Sequence, residues 1–389
     1  MTATAQHLAR PIVRRLSRRP GARSSETGRR PAKTCLACGT ARYDPRVDMV
    51  ALDARSGQNR ARSAVRLALQ AEPRRSDIDR TRIVTVAEGS PELRLIQADN
   101  GAALRALARS WRSSVALAYL DPPFFTGRVH SRVARDRDGR SGKILRAVSP
   151  AFDDRWEDLK SYLVALRARL ELVRPLLLPA GCIVVHVDPR TSHYVKVLCD
   201  EVFGENAFAS EIVWRYRRWP SKTPNFQRVH DVLLRYVRDP KRTPRFVQLF
   251  EPPSLSTVAT WGKGKQRAVV NRDGRRTRSS VTAEPSPGVP LGDVWEIGII
   301  APVAKERTGY PTQKPEALLT RLISACTRPG DLVLDPYAGS GTTLAAAAQL
   351  GRKAIGIDES PVAIAVSDAR LKKLGFRPAR ERCVLVRDA

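Results

Sequence analysis

Residues Asp121, Pro122, Pro123 and Phe124 follow the apolar run VALAYL at 115–120. Consecutive prolines fix the backbone and remove N–H donors, so the carbonyls of this corner are left free to accept. With a carboxylate on one side and an aromatic ring on the other, the corner can hold a planar base by its exocyclic amine. Asp121 and a proline carbonyl accept the two amine hydrogens, and the base stacks on Phe124. The lone pair of an aromatic amine is delocalised into its ring, and two aimed acceptors favour the tetrahedral nitrogen that can attack a methyl group. The same four residues also serve simply as a stiff loop that caps a strand.

A second stretch, DPYAGSGTT at 335–343, joins the apolar run LVL to the helix-like TTLAAAAQLG. Glycines at such a junction let backbone approach a ligand at the helix N-terminus, and they also serve tight turning alone. Asp358 ends the next apolar run, KAIGID, where an acid would accept hydrogen bonds from a ribose diol. Gly339 and Gly341 are followed by Thr342, Thr343 and Leu344, so the third glycine of G-x-G-x-x-G is missing. That omission disfavours a dinucleotide pyrophosphate and favours a nucleoside without phosphates, of which S-adenosylmethionine is one.

These residues need elements to position them. From residue 81 onward, strand-like and helix-like apolar periods alternate, the pattern of a mostly parallel sheet covered by helices. Strands are expected over 93–99, 115–120, 182–188, 353–358 and the start of 331–341. Helices are expected over 100–110, 159–181, 191–204, 318–330, 342–351 and 360–375. Residues 127–143 read as a polar loop, and 211–219 and 230–239 as antiparallel edge strands. Between about 240 and 292 the rhythm gives way to Arg, Lys, Pro, Gly and Ser around Trp261, as in an inserted recognition lobe. Asp121 then stands at the carboxyl end of a parallel strand, where open α/β sheets bind ligands.

The charge names the class of partner. Against 39 Asp and Glu stand 68 Lys and Arg, a net charge of +29 that fits a polyanion, nucleic acid first. Residues 1–80 hold 18 basic and 7 acidic side chains, and residues 215–280 hold 17 and 4. The first stretch reads as a basic, disordered extension, and Met49 within it offers an alternative start. No apolar run is long enough to span a membrane. Six cysteines without a repeating spacing argue against a disulfide framework and for a reducing cytoplasm. Cys35 and Cys38 have the spacing of half a zinc site, with no second pair nearby. A cytosine C5 methyltransferase is disfavoured, since no cysteine follows the proline that typically precedes its nucleophile.

Three stretches, DPPF at 121–124, ERTGYPTQKPEALL at 306–319 and DPYAGSGTT at 335–343, together resemble the site-specific DNA methyltransferases that modify exocyclic amines. Their order resembles that family's β group, and the resemblance covers about 90–370. It implies an α/β, Rossmann-like S-adenosylmethionine-dependent sheet, circularly permuted, in which the strand at 353–358 is followed in space by 93–99 and then 115–120. Carried over, it places Asp121, Pro122, Pro123 and Phe124 around the target base. It places Asp335, Tyr337, Ala338, Gly339, Gly341 and Asp358 around the cofactor, with Asp99 at the adenine and Thr312, Gln313 and Lys314 toward the methionine end. Tyr337 stands where Phe is often seen and Phe124 where Tyr is frequent. The Asp form of the tetrapeptide mostly accompanies adenine N6, so N6 of adenine in double-stranded DNA is the expected target. Cytosine N4 methylation and a non-catalytic DNA-binding homologue are the alternatives.

The resulting organisation is a basic extension (1–80), a catalytic half (81–214), a target-recognition region (215–300) and a cofactor-binding half (301–389). Trp214, Tyr216 and Trp219 suit contact with DNA, although core packing is the better reading of Trp214. No nuclease motif accompanies these segments, which leaves any partner restriction endonuclease to a separate chain. Sequence does not decide between monomer and homodimer.

Overall fold

The computed structural model describes residues 81–137, 144–220, 222, 224–261, 268–278 and 287–385. The expected basic extension, with Cys35 and Cys38, lies outside them. The first half of the chain forms β1 (Thr81–Ala87), β2 (Ser90–Gln97), α1 (Asn100–Ser110), β3 (Val115–Leu120), β4 (Val129–Arg137), β5 (Ile144–Asp153), α2 (Leu159–Val173), β6 (Leu177–Val187) and α3 (Ser192–Phe203). The middle forms β7 (Phe208–Arg215), β8 (His230–Val237), β9 (Phe250–Glu251), α4 (Leu255–Trp261), β10 (Ala268–Val270), β11 (Arg276–Arg278), β12 (Val289–Pro290) and β13 (Val294–Glu296). The last part forms α5 (Glu316–Cys326), β14 (Leu332–Asp335), α6 (Thr342–Gln349), β15 (Lys353–Asp358), α7 (Pro361–Lys373) and β16 (Pro378–Leu385).

Ten strands form one sheet in the order β1-β16-β2-β15-β14-β3-β6-β8-β7-β13. From β16 to β6 every neighbour is parallel. All six residues of β3 are buried, so both of its faces are covered, as an uninterrupted apolar run requires in a central parallel strand. Helices α1, α2 and α3 pack in series, as do α5, α6 and α7.

Several expectations need correction. β3 does not lie beside β2. It pairs with β14, with Ala118 opposite Leu334, while β2 pairs with β15 on the far side. The chain thus winds outward from β14 in both directions, and β14 and β3 flank the switch point at which such sheets open a crevice. The segment at 127–143 is not a loop throughout: β4 pairs antiparallel with β5, a ribbon that joins no other strand among the described residues and so lacks the apolar alternation of a core strand. The helix expected over 159–181 ends at Val173, because Pro175 has no N–H to continue it, and the apolar residues that follow enter β6. Nor are the two antiparallel strands edges. β8 is buried along nearly its whole length between β6 and β7, and β7 is covered by the short parallel β13. The sequence reading also missed β1 and β16, which pair antiparallel at the opposite edge.

Candidate active site

The strand β3 delivers Asp121 to the carboxyl edge of the sheet. After the two prolines the backbone turns through Phe125 at φ 58°, a left-handed conformation that costs a non-glycine residue about 1–2 kcal/mol. Asp154, buried at 1% exposure, offsets that strain. Its carboxylate accepts from the Phe125 amide at 3.0 Å, the Thr126 amide at 2.9 Å, the Thr126 hydroxyl at 2.5 Å and the Trp156 indole at 3.2 Å. The corner is therefore clamped from beneath by the end of the β4–β5 ribbon, whose Phe152 stacks on His130.

Lys314, expected at the methionine end of the cofactor, is bound instead to Asp121. Its Nζ donates to both carboxylate oxygens, at 2.7 and 2.5 Å, and lies 4.8 Å from the centre of the Phe124 ring. The side chains are only 9% and 16% exposed, so breaking the pair leaves a charge poorly solvated. An ionised carboxylate has about four lone-pair positions, and Asp121 keeps acceptor capacity beyond the ammonium.

Behind this corner runs a buried polar chain. Burial and the charges of Asp121, Asp335 and Asp231 hold the Tyr119 hydroxyl far above its ordinary range, so it stays a donor, 2.7 Å from His186 Nδ1. The neutral ring then carries its proton on Nε2, 3.4 Å from Asp231. Asp231 also accepts from the Tyr216 hydroxyl at 2.9 Å. Burial works to raise Asp231, but His186, Lys314 and Tyr216 outweigh it and leave the carboxyl below its usual value. His186 is fully buried, with its ring 5.6 Å from Phe124 and its Nδ1 3.9 Å from Asp121.

On the neighbouring strand, β14 ends in Asp335, which accepts from the Tyr337 amide at 2.9 Å. Burial pushes its carboxyl up to about 7. In the turn beyond it, the Gly339 amide donates to Asp358 at 2.9 Å. Asp358 also accepts from Ser360, and burial raises it to about 6. Gly339 has φ 50° and Gly341 φ 71°, both in the left-handed region that favours glycine. A side chain at Gly341 would come within 2.7 Å of the Ser367 hydroxyl, so this glycine serves the packing of α6 against α7. Asp99 caps α1 and pairs with Arg169 at 3.0 Å, while Gln313 spends its amide inside its own loop, on Thr308 and Glu306.

One cavity of about 320 Å³ gathers nearly all of these residues. Asp121, Pro122, Pro123 and Phe124 line it together with Asp99, Thr312, Gln313, Lys314, Asp335, Tyr337, Ala338, Gly339 and Asp358; Gly341 is not among its lining residues. The size falls at the lower end of ligand pockets. Asp99, Asp121, Asp335 and Asp358 face this space, and the Lys and Arg beside them are already paired with Asp121 and Asp99. That balance suits a cationic ligand without phosphates, which fits S-adenosylmethionine with its sulfonium and ammonium. Asp154, His186 and Asp231 were not found from sequence, since each lies in a stretch that reads as ordinary loop or strand.

Comparison with known proteins agrees with this geometry. The family described as DNA methylase, N6_N4_Mtase, matches residues 115–368. The chain is 30% identical over 319 residues to the Type II methyltransferase M.EcaI of Enterobacter cloacae, covering 68% of this chain and 66% of that protein. It is 46% identical over 90 residues to the DNA adenine methyltransferase YhdJ of Escherichia coli K12, covering 23% of this chain and 31% of that protein. A DNA modification methylase of Thermus thermophilus, TTHA0409, solved in complex with S-adenosyl-L-methionine, is 21% identical with a TM-score of 0.44, covering 75% of this chain and 99% of that one. With the family matched across both the acidic corner and the glycine turn, the chain belongs to the DNA methylases that act on N6 and N4 amines.

Proposed function

We propose that the chain transfers a methyl group from S-adenosylmethionine to the N6 amine of an adenine flipped out of double-stranded DNA. The observation that carries this reading is that Asp121, Pro122 and Phe124 line the same cavity as Asp335, Ala338 and Gly339. The Asp121 carboxylate and the Pro122 carbonyl accept the amine hydrogens, and Phe124 stacks on the base. Lys314 and the clamp at Asp154 hold those acceptors in place. As the nitrogen gains its methyl group it sheds a proton, and the Asp121 oxygens are the acceptors beside it. Asp335, Asp358 and the Tyr337–Gly339 turn bind and orient the cofactor, which supplies an activated methyl group when bound. Holding donor and acceptor side by side supplies much of the rate.

Adenine is favoured over cytosine by the Asp form of the tetrapeptide and by the likeness to YhdJ, named as an adenine methyltransferase. Residues 215–300, with their excess of positive charge, are read as the target-recognition region, flanked by the two halves of the catalytic domain. The test is to incubate the purified chain with unmethylated plasmid DNA and S-adenosylmethionine, digest to nucleosides and analyse by mass spectrometry. N6-methyladenine is expected, and Asp121→Ala abolishes it while calorimetric cofactor binding persists. N4-methylcytosine as the product overturns the base assignment. No methylated nucleoside despite cofactor binding overturns the reading.

A further inference from the structure

The connection from β7 to β8 places two bare aromatic rings at the edge of the active site. β7 runs parallel to β6 and β3, because both β6 and β7 pair antiparallel with β8. Residues 216–229 therefore rise from the same sheet edge as Asp121, with their feet two and three strands away, about 10–14 Å. Those feet are closed. The Tyr216 amide donates to the Val229 carbonyl at 2.8 Å, and the Tyr216 hydroxyl enters the buried chain through Asp231 and His186 that backs the acidic corner. One rung higher, the Gln227 side chain donates to the Trp219 carbonyl at 2.8 Å.

Beyond that base, Trp219 is 90% exposed and Phe226 98%. Trp214 is unlike them: it is 3% exposed, with its indole N–H on the Ile297 carbonyl. Single exposed apolar residues need no explanation, but here two large rings flank one rung of a braced loop. The same loop carries Arg217, Arg218, Lys222 and Arg228 and no acidic residue, a charge complementary to a polyanion. Arg228 is spent on Asp188, whereas Arg217 and Arg218 are exposed.

We propose that this loop is a stacking wedge: Trp219, backed by Phe226, enters the duplex and fills the space that the flipped base vacates, while Arg217 and Arg218 grip the flanking phosphates. The inference rests on the DNA-methylating reading and adds the element that compensates for unstacking. Aromatic rings stack on any base, so the wedge is independent of recognition sequence. Its placement 10–14 Å from the corner (about two to three strand spacings) keeps it clear of the pocket that receives the base.

The modified position is first located by sequencing plasmid DNA methylated by the wild-type chain. Short duplexes carrying that position then serve as probes, one fully paired, one mismatched at the target and one with 2-aminopurine replacing the target base. Trp219→Ala is expected to lower kcat/KM on the paired duplex about tenfold to a hundredfold, with most of the loss recovered on the mismatched duplex, where the base is already loosened. It should also remove most of the 2-aminopurine fluorescence rise, while Trp219→Tyr restores both and cofactor binding is unchanged. Arg217→Gln should weaken both duplexes alike and make the salt dependence shallower. The wedge is overturned if Trp219→Ala and Phe226→Ala flip and methylate the paired duplex as the wild type does, or if their only effect is loss of a concentration-dependent dimer. A wild-type chain that methylates no DNA would instead sink the functional reading beneath it.

Discussion

Asp335 ends β14 with 2% exposure, between the Tyr337 amide from which it accepts and the cavity it lines. Burial pushes its carboxyl up to about 7 from an ordinary 3.8, with the charges of Asp121 and Asp358 adding to the rise against hydrogen bonds from Thr343 and Tyr337. Between those two values the folded chain holds a proton that the unfolded chain has lost. The stability that this proton provides is complete below the unfolded value and is lost as pH rises through the folded one. Asp335→Asn keeps the shape without the titration, so the difference between variant and wild type isolates the carboxyl. From about pH 5 to about pH 8 the variant should gain roughly 2–3 kcal/mol on the wild type, most of it near and above neutrality. Urea unfolding of the cofactor-free chain at a series of pH values, followed by tryptophan fluorescence, measures this directly. A difference that stays flat over that range, or that favours the variant more at low pH, refutes the reasoning.

Lys314→Met should destabilise the chain by about 3 kcal/mol, because it strands the Asp121 carboxylate, and the double variant Asp121→Asn, Lys314→Met should recover most of that in thermal unfolding while staying inactive. Asp154→Asn removes one acceptor from beneath the corner and should cost about 1–2 kcal/mol, lowering kcat while calorimetric cofactor affinity holds. A circular permutant that joins Leu385 to Thr81 through a short turn and opens at the exposed Val303 should fold and bind cofactor like the parent; failure to bind cofactor despite a cooperative unfolding transition would contradict the argument for chain order below.

Both chemical motifs were legible in the sequence because each is local. The proline corner and the glycine turn are short runs whose residue types already fix backbone direction, and each follows an apolar run that can only be a buried strand. Most helices were legible for the same reason, through spacing along one face. The strand order was not, because neighbours in the sheet are set by crossover connections that skip over intervening strands, and nothing between Gln97 and Val115 records that two strands are skipped. The ribbon of β4 and β5 was missed because it joins no strand of the main sheet and so carries no apolar alternation. Lys314 was assigned to the wrong partner by motif position alone. Its Nζ finds Asp121 only because the loop through Thr312, at φ 56°, turns it inward. Asp154 sits in a polar stretch two residues before Trp156 and shows its purpose only once its oxygens are seen to collect the amides of Phe125 and Thr126 just past the prolines.

The order of the motifs along the chain is immaterial to the site, and the sheet explains why. The acidic corner and the glycine turn follow β3 and β14, which are adjacent and parallel, so both open at one edge wherever the chain begins. What must be conserved is the pairing of those two strands at the switch point, since the crevice exists only where connections leave in opposite directions. At the far edge of the sheet, Thr81 lies directly opposite Leu385 in an antiparallel pair, the arrangement that a two-residue hairpin can close. The cofactor half can therefore come last in sequence while standing at the centre of the fold, because the described ends meet on strands remote from the crevice. A chain cut elsewhere would present the same carboxylates to the same cavity, with Asp121 and Asp335 still facing one another across a single strand spacing of about 4.8 Å.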